Sequence, residues 1–341
     1  MTTKTTKMDE EEAPKILPVV GYDPGFGNTK VCLGGKTTMI PSAVSIPRTV
    51  GMAAIGFQSA GRGVTIVDVH GHQYAVGAGA GTRGTLRTSM DYLSLTAPDR
   101  RALLYGASAQ AMLGAGITEL HGVNLVIGLP VPLLADAVQA QTVMDSLKQL
   151  KGVHEFALIN GRTGTQAFVL DIERIKVLAQ PAGAYLDYAY NADLKQRPGV
   201  GKAEVLVLDL GFNTLDLYVL KSGQVLDRFI GGAEVGVKRL LELLATNGRD
   251  LMELDADLRS GALVMTGAQL DSYLAEVLAA VKQVVPELRR FSVVIPCGGG
   301  SLVLGDRLQV ALERKGATVV VPAEPVAANV MGFWKYGARQ A

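Results

Sequence analysis

At 341 residues the chain is long enough for two domains, or for one large folded unit with a cleft. Its formal net charge of +1 gives no whole-protein field that would draw in nucleic acid or an acidic membrane, although a local basic patch stays open. Nothing approaches an uninterrupted apolar run of about 18 residues, which argues against membrane insertion, and the only cysteines, Cys32 and Cys297, read as buried reduced thiols rather than a disulfide.

Residues 1–15, MTTKTTKMDEEEAPK, are polar and charged with no apolar h-region. A disordered tail on a soluble cytoplasmic protein is the expectation, not a signal peptide. The apolar run ILPVV then opens a strand over 16–22, followed by GYDPGFGNTK (21–30) and a second strand over 30–33. Residues 37–80 join IPSAVSIP to the alternating VTIVDVHGHQYAVG, a hairpin turning at His70–Gly71. Helices are expected over 99–115 and 132–150, with a buried strand, VNLVIGLPV (123–131), between them. Alternating strand character fills 166–178, and PAGAYLDYAY (181–190) starts a helix with proline near its first turn. The polar NADLKQRPGVGK (191–202) is the best domain boundary. Beyond it come VLVLDLGFNTLDLYVL (205–220), helices over 235–246 and 267–286, the strand FSVVIPCGGG (291–300), and a helix at the end of VPAEPVAANVMGFWKYG (321–337).

Two of these stretches repeat. VVGYDPGFGNTKVC (19–32) and VLVLDLGFNTLDLYV (205–219) both run apolar strand, Asp, one residue, Gly-Phe, Asn-Thr within a few positions, then a second strand. Glycine lets backbone N–H groups approach an anion, and successive turn amides form a nest for phosphate. Thr29 and Thr214 could add hydroxyl donors, and Lys30 a point charge. Asp23 and Asp209 would repel bare phosphate, so they fit together only with a divalent cation between them and the ligand. Either loop alone reads equally well as an ordinary hairpin with Asp and Asn as turn formers; the pair points to a clamped Mg-nucleotide. A third loop, CGGGSLVLG (297–305), follows a strand and opens a helix, giving a flat backbone surface for a sugar or base, or else a flexible connector. His70 and His72 lack a third ligand nearby and read as solvent-facing, as do His121 and His154. Trp334 reads as a core anchor, and KRLLELL (238–244) as a helix packed on the core that could also touch adenine. RTSMDYLSL (87–95) reads as a subunit contact or an ordinary loop.

Taken in order, Asp23–Lys30, VLAQPAGAYLDY (177–188), LDLGFNTLDL (208–217), IPCGGGSLVLG (295–305) and EPVAANVMGFWKYG (324–337) resemble the five signatures of the actin-like ATPase superfamily. They match its first phosphate loop, first connecting helix, second phosphate loop, adenosine loop and second connecting helix. The first loop, the "GLPV" strand end, the Q-P-x-G-A connector and the "P-x-x-AN-x-x-GF" tail are most similar to ParM-like bacterial and archaeal actins, and the resemblance covers nearly the whole chain from residue 16. It implies Mg-ATP or Mg-ADP between two lobes, with Asp23 and Asp209 organising Mg²⁺ and its waters. Gly25, Gly27, Asn28, Thr29 and Lys30 would bind phosphates from one side, and Gly211, Phe212, Asn213 and Thr214 from the other. Gly298, Gly299, Gly300 and Ser301 would line the adenosine site. Gln180 matches the position that orients the attacking water, against a plain role in capping its helix; Glu234 would touch the sugar or simply sit at a helix N-terminus. The Phe-Asn of the second loop departs from the commoner Gly-Gly-x-Thr form and leaves its phosphate contacts open.

The fold implied is α/β, an actin-like (ribonuclease H-like, duplicated) pair of lobes with the nucleotide cleft between them. Lobe I would hold 16–190 plus 326–341, with 37–80 as its outer subdomain; lobe II would hold 191–325, with 236–285 as its outer subdomain. Two function classes follow. One is an ATPase that polymerises head to tail into nucleotide-dependent filaments, for plasmid DNA segregation through a DNA-binding adaptor or for cytoskeletal organisation. The other is a small-molecule kinase of the same superfamily, which would need a catalytic aspartate where this chain offers Gln180.

Overall fold

A computed structural model describes residues 17–47, 64–87, 92–160, 164–245, 249 and 251–340. The expected tail over 1–15, most of the segment between the two halves of 37–80, and residues 88–91 of the candidate contact loop lie outside the described residues.

The first half builds a ten-stranded sheet. Its strands in chain order are β1 (Val19–Pro24), β2 (Asn28–Leu33), β3 (Lys36–Pro41), β4 (Val44–Ser45), β5 (Thr65–Val69), β6 (His72–Val76), β7 (Leu86–Arg87), β8 (Glu119–Leu129), β9 (Gly152–Asn160) and β10 (Gly164–Ala179). They lie in the order β3-β2-β1-β8-β10-β9-β5-β6-β4-β7. β1 is buried along its whole length, which is why its sequence is a continuous apolar run rather than an alternating one. It pairs antiparallel with β2, Asp23 opposite Lys30, and parallel with β8. The hairpin expected at His70–Gly71 is present: Val69 faces His72, and both turn residues take positive φ, 52° and 85°. The described residues of 37–80 pack mainly on the core of the ten-stranded sheet. Val44, Val67 and Val76 share one cluster with Val20 and Tyr22 of the first hairpin, while Val64, Ala75 and Ala80 form a small cluster of their own. Helix α1 (Pro98–Gly114) fits close beneath this region through Gly106, where a Cβ would sit 2.8 Å from Val76. The stretch expected as one helix over 132–150 divides into α2 (Val131–Ala135) and α3 (Ala137–Leu147), because Asp136 leaves the helical region and caps α3 by accepting from two backbone N–H groups.

Helix α4 (Gln180–Ala189) leads out of β10 toward a second sheet. Its strands are β11 (Glu204–Leu210), β12 (Leu215–Lys221), β13 (Gln224–Val225), β14 (Gly231–Ala233) and β15 (Val293–Cys297), with β11 at the centre between β12 and β15. Helices α5 (Val237–Leu244), α6 (Leu251–Ser260) and α7 (Gly267–Val284) fall in the segment expected as an outer subdomain. Of these, α7 packs Tyr273, Val277 and Val281 into the main core of this sheet, while Val237, Leu241 and Leu254 of α5 and α6 form a separate cluster. Helices α8 (Gly299–Leu304) and α9 (Asp306–Arg314) follow β15, and α10 (Ala328–Ala338) returns to lie against α4 and β1. The chain therefore passes between the sheets at α4 and again before α10, and these two helices touch at glycines. A Cβ on Gly332 would sit 1.8 Å from the Gly183 carbonyl oxygen. Trp334 is half-buried beside Val19 and Val126 in the same layer.

Candidate functional site

The hairpin loops β1–β2 and β11–β12 face each other across a cavity of about 870 Å³. The duplication seen in the sequence is a duplication of geometry: each loop leaves the C-terminal end of a largely buried strand, and each strand presents a buried aspartate near that end. Asp23, Gly25, Gly27, Asn28 and Lys30 line the cavity from one side, and Asp209, Gly211, Phe212, Asn213 and Thr214 from the other. Gly298 and Gly299 lie at its end, where β15 turns into α8. Gly298 has φ 85°, and a Cβ there would meet the Leu210 carbonyl oxygen at 2.4 Å and Asp209 Oδ1 at 2.7 Å, so this close approach requires glycine.

Each aspartate is held by an amide from a different connecting helix. Gln180, the first residue of α4, donates from Nε2 to Asp23 Oδ1 at 3.0 Å and to the Tyr92 hydroxyl at 3.3 Å. Asn329 in α10 donates from Nδ2 to Asp209 Oδ2 at 2.7 Å, while its own Oδ1 accepts from the Ala184 N–H in α4 at 3.2 Å. Asp23 Oδ2 accepts from Lys30 Nζ at 2.7 Å. Burial alone would push the Lys30 ammonium down, but Asp23, with Asp209 beyond it, holds it above its ordinary value as a firm cation. Burial pushes the Asp209 carboxyl up, against the pull of Asn329 and Lys30. Asp216 is raised by burial to about 6, partly relieved by the Thr214 hydroxyl at 2.7 Å. Two buried carboxyls short of positive charge fit a divalent cation arriving with a polyphosphate. Among the described residues no cluster of three or more His, Cys, Asp or Glu is placed to hold a metal by itself. That donor set suits Mg²⁺, which keeps waters and takes few protein carboxylates.

The second loop is fixed from behind by α5: the N–H groups of Gly236, Val237 and Lys238 donate to the carbonyls of Asn213, Gly211 and Phe212 at 3.0, 3.0 and 2.7 Å. Within the loop the Gly211 N–H donates to the Thr214 carbonyl at 2.8 Å, closing the turn. Phe212, the departure from the common motif, reaches across the cavity, and a Cβ on Gly27 would lie 3.1 Å from Phe212 Cβ.

Four residues grouped with this site by sequence do not line it. The Thr29 hydroxyl is buried and shares a hydrogen bond with the Ser42 hydroxyl at 2.9 Å, because Thr29 alternates inward along β2. Gly300 faces the Leu210 side chain, and the Ser301 hydroxyl donates to the Cys297 carbonyl at 2.7 Å inside its own helix turn. Glu234 is exposed beyond the end of β14. Sequence reading in turn missed Tyr92, Asp216, Asn329 and Arg259, all of which line the cavity. Asn329 stands in the "P-x-x-AN-x-x-GF" stretch and so had a signal; Asp216 comes to face Asp209 only through the β11–β12 register, and Tyr92 and Arg259 come from a loop and a helix with no signal.

The geometry agrees with what the chain is similar to. Residues 21–183 match the family model for the actin like proteins N terminal domain. Archaeal actin homologs of Thermoplasma volcanium and Thermoplasma acidophilum are each 22% identical over 344 residues, covering 93% of this chain and 98% of their own length. Among solved structures, the apo psk41 ParM protein superposes with a TM-score of 0.71 at 16% identity, over 96% of this chain and 98% of its own. An archaeal actin homolog in complex with ADP does so with a TM-score of 0.68 at 20% identity, over 95% and 100%. Residues 21–183 thus match an actin-like N-terminal domain, and the chain has the fold that ParM and archaeal actin homologs share.

Proposed function

We propose that the cleft binds Mg-ATP and Mg-ADP, hydrolyses ATP slowly, and couples nucleotide state to head-to-tail assembly of the chain into filaments. The observation that carries this reading is the pair of opposed aspartate hairpins, each tied by an amide to a different inter-lobe helix. Support comes also from relatives of the same fold solved with ADP and with AMPPNP, and from a 15-stranded ParM filament of Clostridium botulinum.

In this reading the backbone of Gly25, Gly27 and Asn28 and the Lys30 ammonium take the phosphates from one side. Gly211, Phe212, Asn213 and Thr214 take them from the other, and Gly298 and Gly299 lie under the nucleoside. Asp23 and Asp209, with Asp216 behind, would hold Mg²⁺, which would supply charge neutralisation at the phosphates. Both Nε2 hydrogens of Gln180 are committed to Asp23 and Tyr92, so Oε1 is the atom left to accept from a water and orient it. Closing the lobes on a triphosphate gathers ligands from both sheets, and losing the terminal phosphate releases that bridge. The lobes follow the boundaries 16–190 plus 326–341 and 191–325.

A small-molecule kinase would present an acid to a substrate hydroxyl beyond the phosphates. At the start of α4, hydrogen-bonded to Asp23, this chain offers the amide of Gln180 rather than an acid, which favours the filament reading. A role in plasmid partition, through an adaptor that binds DNA, is the cellular setting this assembly would serve. The deciding experiment is sedimentation with Mg-ATP, with Mg-ADP and without nucleotide, followed by negative-stain microscopy of the pellet. Filaments that depend on nucleotide are expected. A chain that stays monomeric at high concentration in every state sinks the assembly reading, and a substrate screen for stimulated ATP turnover then tests the kinase.

A further inference from the structure

Among the described residues, the charged ones lining the cavity are four carboxylates, Asp23, Asp209, Asp216 and Asp255, and two cations, Lys30 and Arg259. Lys30 sits on β2, pairs with Asp23 and serves the phosphates from its own side of the cleft. Arg259 is placed differently. It projects from α6, on the side of the second sheet, and crosses to the β1–β2 loop. Its Nε donates to Asp255 Oδ2 at 2.7 Å, one terminal nitrogen donates to the Gly27 carbonyl oxygen at 3.0 Å, and the other donates to Asn28 Oδ1. Both acceptors on the loop are neutral. A guanidinium fork gains more from phosphate oxygens, which it meets in the same bidentate manner through charge-assisted bonds. The helix that carries it is well anchored, since Leu254 packs with Val237 and Leu241 of α5, and Phe212 joins that cluster. Arg259 is thus held on the loop whose backbone forms the phosphate nest, and it comes from the opposite lobe.

We propose that Arg259 is a cross-lobe ligand for the terminal phosphate of a bound nucleoside triphosphate, and that through it the cleft distinguishes triphosphate from diphosphate. The inference rests on the nucleotide reading above. The terminal nitrogens exchange the Gly27 and Asn28 oxygens for phosphate oxygens, while Asp255 keeps Nε and confines the swing to the fork. With a diphosphate, one phosphate shorter, the fork stays on the loop.

The test is calorimetric titration of the full chain and its Arg259→Ala and Arg259→Lys variants with Mg-ATP, a non-hydrolysable ATP analogue and Mg-ADP. Arg259→Ala is expected to weaken both triphosphates by about tenfold or more, as loss of a charge-assisted hydrogen bond implies, with ADP held within about twofold. Arg259→Lys, which keeps the charge without the fork, is expected to fall between. Equal weakening of ATP and ADP, or no change in either, overturns the assignment and leaves the nucleotide reading intact. A wild-type chain that binds none of the three overturns both. The side chain is 28% exposed, and Arg259→Ala is expected to fold; should its melting curve show otherwise, Arg259→Lys alone decides, by whether the ratio of ATP to ADP affinity drops.

Discussion

Gln180 and Asp216 show how much chemistry single side chains take from their surroundings. For Gln180 the two committed hydrogens fix the amide, and if it orients the attacking water as proposed, truncation would remove an interaction needed mainly in the transition state. Gln180→Ala is expected to lower ATP turnover by about a hundredfold while shifting ATP affinity little. Equal loss in turnover and binding, measured together, would assign Gln180 to structure alone. Asp216 gives a stability signature without nucleotide. Its carboxyl loses a proton near pH 6 in the folded chain and near the ordinary 3.8 when unfolded. The folded state therefore holds the extra proton between those values, and stability present below about pH 4 is lost as pH rises to about 6, by about 3 kcal/mol at most. Denaturant melts of the wild type and Asp216→Asn across that range are expected to differ, the variant showing the flatter profile; parallel profiles would place the Asp216 carboxyl in water. Of these two residues only Gln180 was legible beforehand. Its neighbours in sequence, Q-P-x-G-A, mark a helix start after a strand, whereas the burial that raises Asp216 depends on β14 and β11 flanking it, which no local pattern reveals.

At the scale of elements, the connecting helices α4 and α10 do more than link the sheets. They cross at Gly183 and Gly332 with backbone against backbone, and their side chains Gln180 and Asn329 reach the two loop aspartates. Lys335 of α10 strengthens the same crossing by donating to Asp187 Oδ1 at 2.6 Å and to the Tyr190 carbonyl at 2.7 Å. A methyl on Gly332 would fall on a carbonyl oxygen, which no rotamer change relieves, so the helices must part. Gly332→Ala is expected to cost about 1–3 kcal/mol and to lower Tm accordingly; an unshifted melting curve would mean that the crossing is not close-packed. The glycines of both helices stood in the sequence motifs, and the strands and turns that carry the loops were readable from apolar runs ending in Asp-x-Gly. Less was readable where contacts are distant. Helix α6, LMELDADLRS, is short and acidic, and with it Arg259 went unseen. The inward turn of the Thr29 and Ser301 hydroxyls likewise follows from partners at Ser42 and Cys297 and not from their own motifs.

For the molecule as a whole, function depends on whether changes at the loops reach the outer surfaces. Among the described residues, the two sheets are joined by α4, the segment before α10 and the contacts across the cleft, among them Phe212 on Gly27 and Arg259 on Asn28. A ligand that adds cross-lobe contacts therefore shifts the lobes as bodies, and the parts farthest from the hinge move most. The β5–β6 hairpin is such a part: its tip at His70–Gly71 is exposed and lies several strands away from β1 in the sheet order. Head-to-tail stacking is a contact that does not close on itself, so a change in lobe angle alters it at every subunit. Assembly is expected to be ATP-favoured, with a critical concentration that rises when ADP replaces ATP. A charge placed at the tip, His72→Glu, is expected to raise the critical concentration severalfold, on the scale of about 1 kcal/mol per contact, without weakening ATP binding to the monomer. Sedimentation across a concentration series, paired with ATP titration of the monomer, separates the outcomes. If His72→Glu assembles like the wild type, the hairpin tip is outside the stacking contact; if it loses ATP binding as well, the tip is coupled to the cleft rather than to the neighbouring subunit.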